Sequence, residues 1–478
     1  MTYPEVQLHI DGRWIGSTAQ GFLPVDNPAD AAVLGQFPVA GSAELAGARQ
    51  AARRGFGVWS AMLPLERHKI MSRATALLRE RAGVISRVLT LEQGKPLAES
   101  LREVLLSADI IDFLAEEARR LASRGVPPRS ANVISQTVMR VPVGPVAAFT
   151  PWNFPMNLPA RKLGGALAAG CSVVIKPDEQ TPASCMELVR CFVDAGIPAG
   201  VVNMVLGQPA DIADDLVASD EIAQVSFTGS CAVGRALGEK AARHHKRYTA
   251  ELGGHAPVIV CGDADPVETA RLAVSAKYRG SGQVCASPVR FLVHRSIYAG
   301  FREAFVAGAR ALKVGSGLDE GVQLGPLIGK RRVDEMTALV EDATARGAKL
   351  LCGGKPVARP GYFFEATVLE AAPPGCRVQQ QEPFGPIALL DVFDDLDEAL
   401  ARANELPYGL AAYAFTRDLA SAHRVATALQ AGMVGINHFG VSQPETPFGG
   451  IKHSGVGAES GLEGLLEYTQ MKLVSIAA

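Results

Sequence analysis

Long runs of one kind of residue are missing from this sequence, whether basic or apolar. The 47 basic residues nearly balance the 49 acidic ones, so the formal net charge is −2 and gives no support for nucleic acid or an anionic membrane as a partner. No apolar stretch reaches the roughly 20 residues that a membrane helix needs. Residues 1–5 lack the basic start and apolar core of a secretory signal. We therefore expect a cytoplasmic protein with no membrane partner.

Cysteine pairs with metal-binding spacing are also missing. The eight cysteines include no Cys-x-x-Cys pair, and no His-x-x-x-His motif accompanies them. This pattern argues against structural zinc and against a disulfide framework. We expect no metal site, and we expect most of the cysteines to be reduced and buried.

A third missing feature is the Gly-x-Gly-x-x-Gly fingerprint that usually follows a strand of a dinucleotide-binding domain. The pattern of strands is nonetheless typical of such a domain. Short apolar runs alternate with helical segments, and they lie at residues 145–149, 171–176, 201–205 and 224–227. Repeated βα units predict a parallel sheet with helices on both faces, and ligands bind beyond the carboxyl ends of its strands.

A second α/β unit is predicted after residue 257. Its apolar runs lie at residues 258–260, 289–293, 364–369, 387–390, 411–415 and 435–437. A chain of 478 residues also needs more than one hydrophobic core. We expect two doubly wound α/β domains, with the reacting groups in the cleft between them.

The N-terminal third carries predicted structure but no predicted chemistry. Asp11-Gly12 is typical of a hairpin turn. Helices are predicted at residues 42–59, with Ser42 as the N-cap, and at residues 66–91 and 97–122. The alternating segment 133–140 predicts a strand that needs a partner.

The segment at residues 280–288 presents a single cysteine, Cys285, on a glycine-rich turn. A thiolate there could attack an electrophilic carbon. Glu251 offers a base, Asn153 an amide donor, and Glu382 a second carboxylate beside an aromatic ring. Each residue alone has an ordinary interpretation as a buried cysteine, a surface charge or a turn residue. Together, a nucleophile, a base and an oxyanion donor indicate acyl chemistry.

Six ordered motifs resemble those of the aldehyde dehydrogenase superfamily and extend over nearly the whole chain. They are residues 151–155, 176–182, 227–230, 251–254, 282–285 and 382–386. The resemblance implies NAD(P)-dependent oxidation of an aldehyde to a carboxylic acid through a covalent thioester. It also implies that the cofactor binds in a variant manner, without the usual fingerprint.

The resemblance also implies a variant Rossmann NAD-binding domain, a catalytic domain and a small β oligomerisation arm. In that order they comprise residues 1–122 and 142–252, residues 253–455, and residues 123–141 and 456–478. In the arm, strand 133–140 joins segment 472–476, and the arm assembles a homodimer or a homotetramer. The alternative is that strand 133–140 stands at the edge of its own domain.

The matching positions imply catalytic roles for four residues. Cys285 is the nucleophile, and the oxyanion of its thiohemiacetal is held by the Asn153 side chain and the Cys285 backbone N–H. Glu251 activates the water that hydrolyses the thioester. Lys162 matches a supporting residue of the family, and its alternative is a solvated surface lysine.

The cofactor implied is NAD, with NADP as the weaker alternative. Lys176 and Glu179 match positions that contact the adenine ribose, and a carboxylate there would repel a 2′-phosphate. Ser230 begins a helix that would direct N–H groups toward the pyrophosphate, although a plain helix cap is the alternative. Glu382 matches the position that holds the nicotinamide ribose. The full implied set is Thr150, Pro151, Trp152, Lys176, Glu179, Gly229, Ser230, Leu252, Glu382 and Phe384.

The substrate class is indicated by Arg161 and Arg279, with Ser442 as a further contact. The two arginines match those with which dehydrogenases of succinate semialdehyde and related ω-carboxy aldehydes bind the far carboxylate. Either could instead form a structural ion pair. Segment 285–290 is most similar to 2-oxoglutarate semialdehyde (2,5-dioxopentanoate) dehydrogenases. We predict oxidation of 2-oxoglutarate semialdehyde or succinate semialdehyde, with a general dehydrogenase of uncharged aldehydes as the alternative.

Two further alternatives share this resemblance. A CoA-acylating dehydrogenase passes the thioester to CoA, and that branch usually lacks the base that Glu251 provides. A non-catalytic scaffold, of which lens crystallins are examples, would be expected to have lost the nucleophile or the base. Ser287 stands where some succinate semialdehyde dehydrogenases have a second cysteine, so no redox lock is expected.

Overall fold

The computed structural model describes residues 3–478 and begins with two hairpins and four helices. These elements are β1 (Leu8–Ile10), β2 (Arg13–Ile15), β3 (Phe22–Asp26), β4 (Val33–Pro38), α1 (Ser42–Ala61), α2 (Pro64–Glu80), α3 (Ala82–Gln93) and α4 (Leu97–Glu117). β1 pairs with β2 across Asp11-Gly12, so the predicted hairpin is confirmed.

Three helix boundaries differ from the prediction. Ser42 is the first residue of α1 and not its N-cap, because Gly41 is extended and its N–H donates to the Glu44 carboxylate (N···O 2.8 Å). The helix predicted at residues 66–91 is interrupted at Arg81, whose ψ of 2° separates α2 from α3. The helix predicted at residues 97–122 ends in a 3-10 turn.

The first large sheet is formed mainly in the middle of the chain. Its region contains β5 (Arg124–Gly125), β6 (Val133–Pro142), β7 (Val146–Phe149), α5 (Asn157–Ala169), β8 (Val173–Lys176), α6 (Pro182–Asp194), β9 (Val202–Met204), α7 (Pro209–Ala218), β10 (Gln224–Thr228), α8 (Cys231–Arg243) and β11 (Arg247–Glu251). Strands β7 to β11 are parallel, and β7, β8 and β10 are buried throughout, as expected for a sheet covered on both faces. Their carboxyl ends lie along one edge.

The second large sheet follows. The remaining elements are β12 (Ala256–Val260), α9 (Pro266–Tyr278), β13 (Pro288–His294), α10 (Arg295–Ala311), α11 (Lys330–Ala345), β14 (Lys349–Cys352), β15 (Thr367–Glu370), α12 (Arg377–Gln380), β16 (Ile387–Phe393), α13 (Leu396–Asn404), β17 (Ala411–Phe415), α14 (Leu419–Ala428), β18 (Met433–Ile436), β19 (Gly455–Val456), α15 (Gly461–Glu467) and β20 (Thr469–Ala477). The strand orders are β19-β11-β10-β7-β8-β9-β1-β2 in the first sheet and β14-β15-β16-β13-β12-β17-β18 in the second. The predicted fold class is thus confirmed, while the domain boundaries stay a prediction.

A third sheet, β20-β6-β5, stands apart from both large sheets. β20 runs antiparallel to β6, with Lys472 opposite Met139 and Leu473 opposite Val138. The pairing of segments 133–140 and 472–476 is therefore confirmed, and β6 is the central strand of this sheet and not an edge strand of its own domain. Its role in assembly stays a prediction.

No helix within residues 3–478 has the length and apolar character needed to cross a bilayer. In the same range, no three His, Cys, Asp or Glu side chains are grouped so as to hold a metal ion. All eight cysteines are free thiols, of which four are buried and four are partly buried.

Candidate active site

Cys285 lies on an irregular loop that connects the tight turn Arg279–Gly282 to β13. Gly280 and Gly282 have φ angles of +55° and +71°, in the left-handed region that favours glycine. A Cβ atom on Gly282 would stand 2.2 Å from the carbonyl oxygen of Gly385. The loop therefore needs glycine both for its turn and for its close approach to the segment after Glu382.

Glu251 ends β11 and contacts Cys285. The residue is only 2% exposed, and burial, reinforced by Glu459, raises the pKa of its carboxyl to about 8. The Cys285 thiol is close enough to this carboxylate for each group to shift the pKa of the other. Burial and the charges of Glu251 and Glu382 raise the pKa of the thiol. The site thus pairs a thiol with a base whose proton affinity is unusually high for a carboxylate.

Asn153 lies in the loop between β7 and α5, packed against the Cys285 loop. Its Nδ2 donates to the Gln283 carbonyl oxygen (3.1 Å), and its Oδ1 has no hydrogen-bond partner among residues 3–478. The amide group carries a second N–H, which remains for a ligand. The fold thus brings the nucleophile, base and amide to one place, while their roles stay predictions.

Lys162 is fully buried on α5, so the alternative of a solvated surface lysine is wrong. Its ammonium group donates to the Glu459 carboxylate and to the Ser226 hydroxyl (3.0 Å). Lys162 also lowers the pKa of Glu251, which burial and Glu459 raise. Sequence reasoning missed Glu459, because a single acid outside the motifs carries no local signal of its contact with Lys162.

Arg161 is 2% exposed on the same helix. Its three side-chain hydrogen bonds go to neutral oxygens: Asn157 Oδ1 (3.0 Å), Ser442 Oγ (2.7 Å) and Ser460 Oγ. No salt bridge to Arg161 is found within residues 3–478, and the nearby Glu459 carboxylate pairs with Lys162 instead. The alternative of a structural ion pair therefore has no support at this arginine.

The guanidinium of Arg161 is close to the reacting groups. Burial lowers its pKa, and negative charges on Glu459, Cys285 and Glu251 oppose that shift. Its Cζ lies 4.5 Å from the centre of the Phe448 ring, which covers the guanidinium. Two N–H groups of the guanidinium thus make no hydrogen bond among residues 3–478.

Arg279 occupies a different position, at the rim of the site. It is exposed, and its Cζ lies 5.8 Å from the centre of the Phe154 ring. Burial raises the pKa of Tyr413, and the charge of Arg279 opposes this shift. The Tyr413 hydroxyl donates to the Ala286 carbonyl oxygen (2.8 Å), next to the nucleophile. Arg279 is thus near the site, but it is not buried in it as Arg161 is.

The first group of predicted cofactor residues lies at the carboxyl edge of the first sheet. Lys176 ends β8 and forms an ion pair with Glu179. Ser230 is the N-cap of α8, and its hydroxyl accepts a hydrogen bond from the Val233 N–H (3.4 Å). The first turn of α8 therefore presents backbone N–H groups at this edge.

The second group lies beside the Cys285 loop. Glu382 accepts a hydrogen bond from the Gly254 N–H (3.1 Å), and burial raises the pKa of its carboxyl to about 7. The Trp152 and Phe384 rings meet edge to face, with centroids 5.5 Å apart. Phe384 has a φ of +45°, which is rare for a residue with a bulky side chain.

The remaining predicted cofactor residues connect the strand ends. The Thr150 N–H donates to the Lys176 carbonyl oxygen (3.2 Å), and Pro151 follows directly. The Gly229 N–H donates to the Glu251 carbonyl oxygen (3.1 Å). The Leu252 N–H donates to the Ser454 carbonyl oxygen (2.9 Å).

Comparison with known families agrees with this geometry. The model described as "Aldehyde dehydrogenase family" matches residues 14–474. The chain belongs to the aldehyde dehydrogenase family.

Similar proteins align with almost the whole chain. The putative 4-(hydroxymethyl)benzenesulfonate dehydrogenase TsaD2 of Comamonas testosteroni is 45% identical over 99% of this chain and 98% of its own. The succinate-semialdehyde dehydrogenase (NADP(+)) GabD of Escherichia coli (strain K12) is 40% identical over 98% of this chain and 97% of its own. The crystal structure of succinate-semialdehyde dehydrogenase from Burkholderia pseudomallei superimposes with a TM-score of 0.96 at 40% identity, covering 99% of this chain and 98% of that one.

Aldehyde dehydrogenases use NAD(P), and the residues of this chain fit such a cofactor. The Thr150 hydroxyl is buried at the carboxyl edge and has no partner among residues 3–478, so a donor or acceptor remains for a ligand. A Cβ atom on Gly253 would stand 2.4 Å from Glu382 Oε2, so glycine at this position leaves room for that carboxylate. Together with the first turn of α8 and the Lys176–Glu179 pair, these groups suit phosphate and ribose.

The N-terminal helices also contact the candidate site, although the sequence predicted no chemistry for this part of the chain. Lys95 and Glu103 are buried and form an ion pair, and Lys95 donates to the backbone carbonyl oxygen of Asn153 (2.7 Å). In the sequence, Lys95, Glu99 and Glu103 follow one another at a spacing of four residues, which is typical of one helix face. This spacing predicts charges on one helix face, but not the loop that they contact.

Proposed function

We propose that this protein oxidises an aldehyde with an anionic group at its far end to the carboxylic acid, with NAD(P) as cofactor. The environment of Arg161 is the observation that carries the proposal. Its guanidinium is buried near Cys285, its hydrogen-bond partners are neutral, and the nearby Glu459 carboxylate is paired with Lys162. Buried charges are normally paired, and an anionic substrate supplies the missing charge.

The substrate class that we favour is an ω-carboxylated semialdehyde, either 2-oxoglutarate semialdehyde or succinate semialdehyde. The Escherichia and Burkholderia relatives are named for succinate semialdehyde, whose far end is a carboxylate. The Comamonas relative is named for 4-(hydroxymethyl)benzenesulfonate, an anionic alcohol whose first oxidation product is an aldehyde. Because the 45% identity to that relative is high, a sulfonated aromatic aldehyde is the second candidate. A general dehydrogenase of uncharged aldehydes is the competing interpretation.

The proposed mechanism centres on the Cys285–Glu251 pair. Glu251 takes the thiol proton, the thiolate attacks the aldehyde carbon, and the oxyanion accepts hydrogen bonds from Asn153 Nδ2 and the Cys285 N–H. When bound, NAD(P) supplies the hydride acceptor that brings the carbon to the thioester level. Glu251 then removes a proton from water, which attacks the thioester and releases the acid. Lys162, through Glu459, supports the charge state of Glu251.

NAD is the cofactor that we favour over NADP. Glu179 accepts hydrogen bonds from ribose hydroxyls but repels a 2′-phosphate, and Lys176 holds it in place. The Escherichia relative is named for NADP(+), so the preference varies among similar proteins.

We also infer that the sheet β20-β6-β5 is the oligomerisation arm of a homodimer or homotetramer. Met471, Leu473 and Ile476 are exposed on β20. Exposed apolar side chains on one strand are typical of an interface.

The test compares initial rates of cofactor reduction with four aldehydes: succinate semialdehyde, 2-oxoglutarate semialdehyde, 4-formylbenzenesulfonate and an uncharged aldehyde of similar length. We expect the anionic aldehydes to have the higher kcat/KM, no requirement for CoA, and loss of activity in Cys285→Ala. Equal kcat/KM for charged and uncharged aldehydes would overturn the anionic part of the proposal. Absence of any aldehyde oxidation by the folded protein would overturn all of it.

A further inference from the structure

The junction of α3 and α4 contacts both loops that carry the predicted catalytic residues. Three charged residues make these contacts, Lys95, Glu99 and Glu103, which we name the junction cluster. Lys95 lies between the two helices, and Glu99 and Glu103 are one turn apart on α4, so they share a face. Lys95 and Glu103 are 2% and 4% exposed. Charged residues are rarely buried to this degree unless they are paired.

Lys95 holds the Asn153 loop. Its Nζ donates to the Asn153 backbone carbonyl oxygen (2.7 Å) and to Glu103 Oε2 (2.5 Å). The same atom lies 4.0 Å from the centre of the Phe154 ring. The ammonium group therefore fixes the backbone of the residue whose side-chain amide is the predicted oxyanion donor.

Glu103 holds the beginning of α5. Its Oε1 accepts hydrogen bonds from the N–H groups of Met156 (3.0 Å) and Asn157 (3.1 Å). Because Oε2 pairs with Lys95, both carboxylate oxygens are used. One ion pair thus joins the Asn153 loop to the helix that carries Arg161.

Glu99 holds the nucleophile loop. Its Oε2 accepts a hydrogen bond from the Gly280 N–H (2.9 Å), five residues before Cys285. Burial raises the pKa of Glu99, and the charges of Lys95 and Arg279 oppose that shift. The nucleophile loop and the Asn153 loop therefore contact the same short stretch of chain.

The junction is itself closely packed. A Cβ atom on Gly317 would stand 2.3 Å from the Lys95 carbonyl oxygen, and one on Gly325 would stand 2.3 Å from the Gly94 carbonyl oxygen. The Gly325 carbonyl oxygen accepts a hydrogen bond from the Ser281 hydroxyl (2.8 Å) in the nucleophile loop. The junction therefore has little room to move relative to that loop.

We propose that the junction cluster sets the distance between the Asn153 amide and the Cys285 thiol, with Lys95 and Glu103 as positioning residues. The inference rests on the proposed function, because an oxyanion donor matters only if Cys285 attacks a carbonyl. A buried ion pair is weak evidence for a role in stability. Oxyanion donors, in contrast, act only at the correct distance, and a displacement of about 1 Å costs about 100-fold in rate.

The test is a double-mutant cycle with Lys95→Met and Asn153→Ala, assayed with whichever aldehyde the wild-type protein oxidises best. Lys95→Met should lower kcat about 10- to 100-fold. KM for the cofactor and the rate at which iodoacetamide alkylates Cys285 should stay within about twofold, because neither needs the oxyanion donor. In the Asn153→Ala background, Lys95→Met should cause little further loss of kcat.

The matched control is Lys330→Met, which removes a lysine from the exposed Lys330–Asp334 ion pair and should leave all three readouts unchanged. Lys95→Arg keeps the charge and should recover part of kcat, and it replaces Lys95→Met in the cycle if that variant does not fold. The positioning role would be overturned if the double variant lost kcat by the product of the two single losses. It would also be overturned if the rate of Cys285 alkylation in Lys95→Met fell as much as kcat. A wild-type protein that prefers uncharged aldehydes overturns only the proposed substrate, whereas one that oxidises no aldehyde overturns both proposals.

Discussion

Replacing Arg161 by leucine should remove the preference for anionic aldehydes. A guanidinium has five N–H donors, and those of Arg161 make three hydrogen bonds, to Asn157, Ser442 and Ser460. Two donors remain for a substrate anion. At about 1.5 to 3 kcal/mol for each hydrogen bond to a charged group, their loss corresponds to about 3 to 6 kcal/mol. Measured truncations of buried charge pairs cost about 2 to 5 kcal/mol, so we expect kcat/KM for an anionic aldehyde to fall about 30-fold or more.

The assay measures kcat/KM for succinate semialdehyde and for butanal, an uncharged aldehyde of the same chain length, with wild type and variant. For butanal we expect a change of less than about threefold, because it forms no hydrogen bond to the guanidinium. Ser442→Ala removes a single neutral partner and should cost about 1 kcal/mol. Arg279→Ala, at the exposed rim, is the matched arginine control and should have the smaller effect. Equal losses with both aldehydes after Arg161→Leu would refute the reasoning, because they would show a structural role.

Three further predictions concern the base, the cofactor and the arm. Because the pKa of Glu251 is raised to about 8 and a base must be ionised, kcat/KM should fall as pH decreases through about 8. Glu251→Gln should lose most of the activity, and its remaining kcat/KM should no longer depend on pH in this range. Glu179→Ser removes the charge that repels a 2′-phosphate, so the ratio of kcat/KM for NADP to that for NAD should rise about 10-fold or more. Leu473→Asp places a charge on the exposed face of β20, so light scattering should report a smaller assembly.

Each of these has a contradicting outcome. A profile that is flat between pH 6 and 9 would show that Glu251 is not the titrating base. An unchanged cofactor ratio in Glu179→Ser would place the preference elsewhere. An unchanged mass in Leu473→Asp, with Leu419→Asp on another exposed surface as control, would show that β20 is not at the interface.

The strands of both sheets were the most predictable part of the fold. The runs at residues 171–176 and 411–415, for example, became β8 and β17 almost unchanged, because buried parallel strands are continuous apolar segments bounded by turns. The helix boundaries were less predictable. The only poor helix former beside the break at Arg81 is Gly83, and a single glycine does not reliably predict where a helix ends.

The candidate site likewise contains residues that the sequence identified and residues that it missed. Cys285, Glu251, Asn153, Lys176 and Glu382 were identified because they lie in local motifs with glycines, prolines or strand ends beside them. Their meeting at one place agrees with the sequence, although their roles await the experiments above. Lys95, Glu103 and Glu459 were missed, because nothing next to them in the chain reveals the carbonyl, N–H or ammonium group that each one contacts.

The sequence by itself determined the family, the α/β architecture and the chemical types of the reacting groups, because these are written in local patterns and in motifs of fixed order. Only the tertiary structure decided that Arg161 is buried among neutral partners while Arg279 is exposed, and that Lys162 pairs with Glu459. The physical reason is that burial and charge pairing depend on residues hundreds of positions apart. The same holds for the junction cluster, whose contacts join the N-terminal helices to loops that follow much later in the chain.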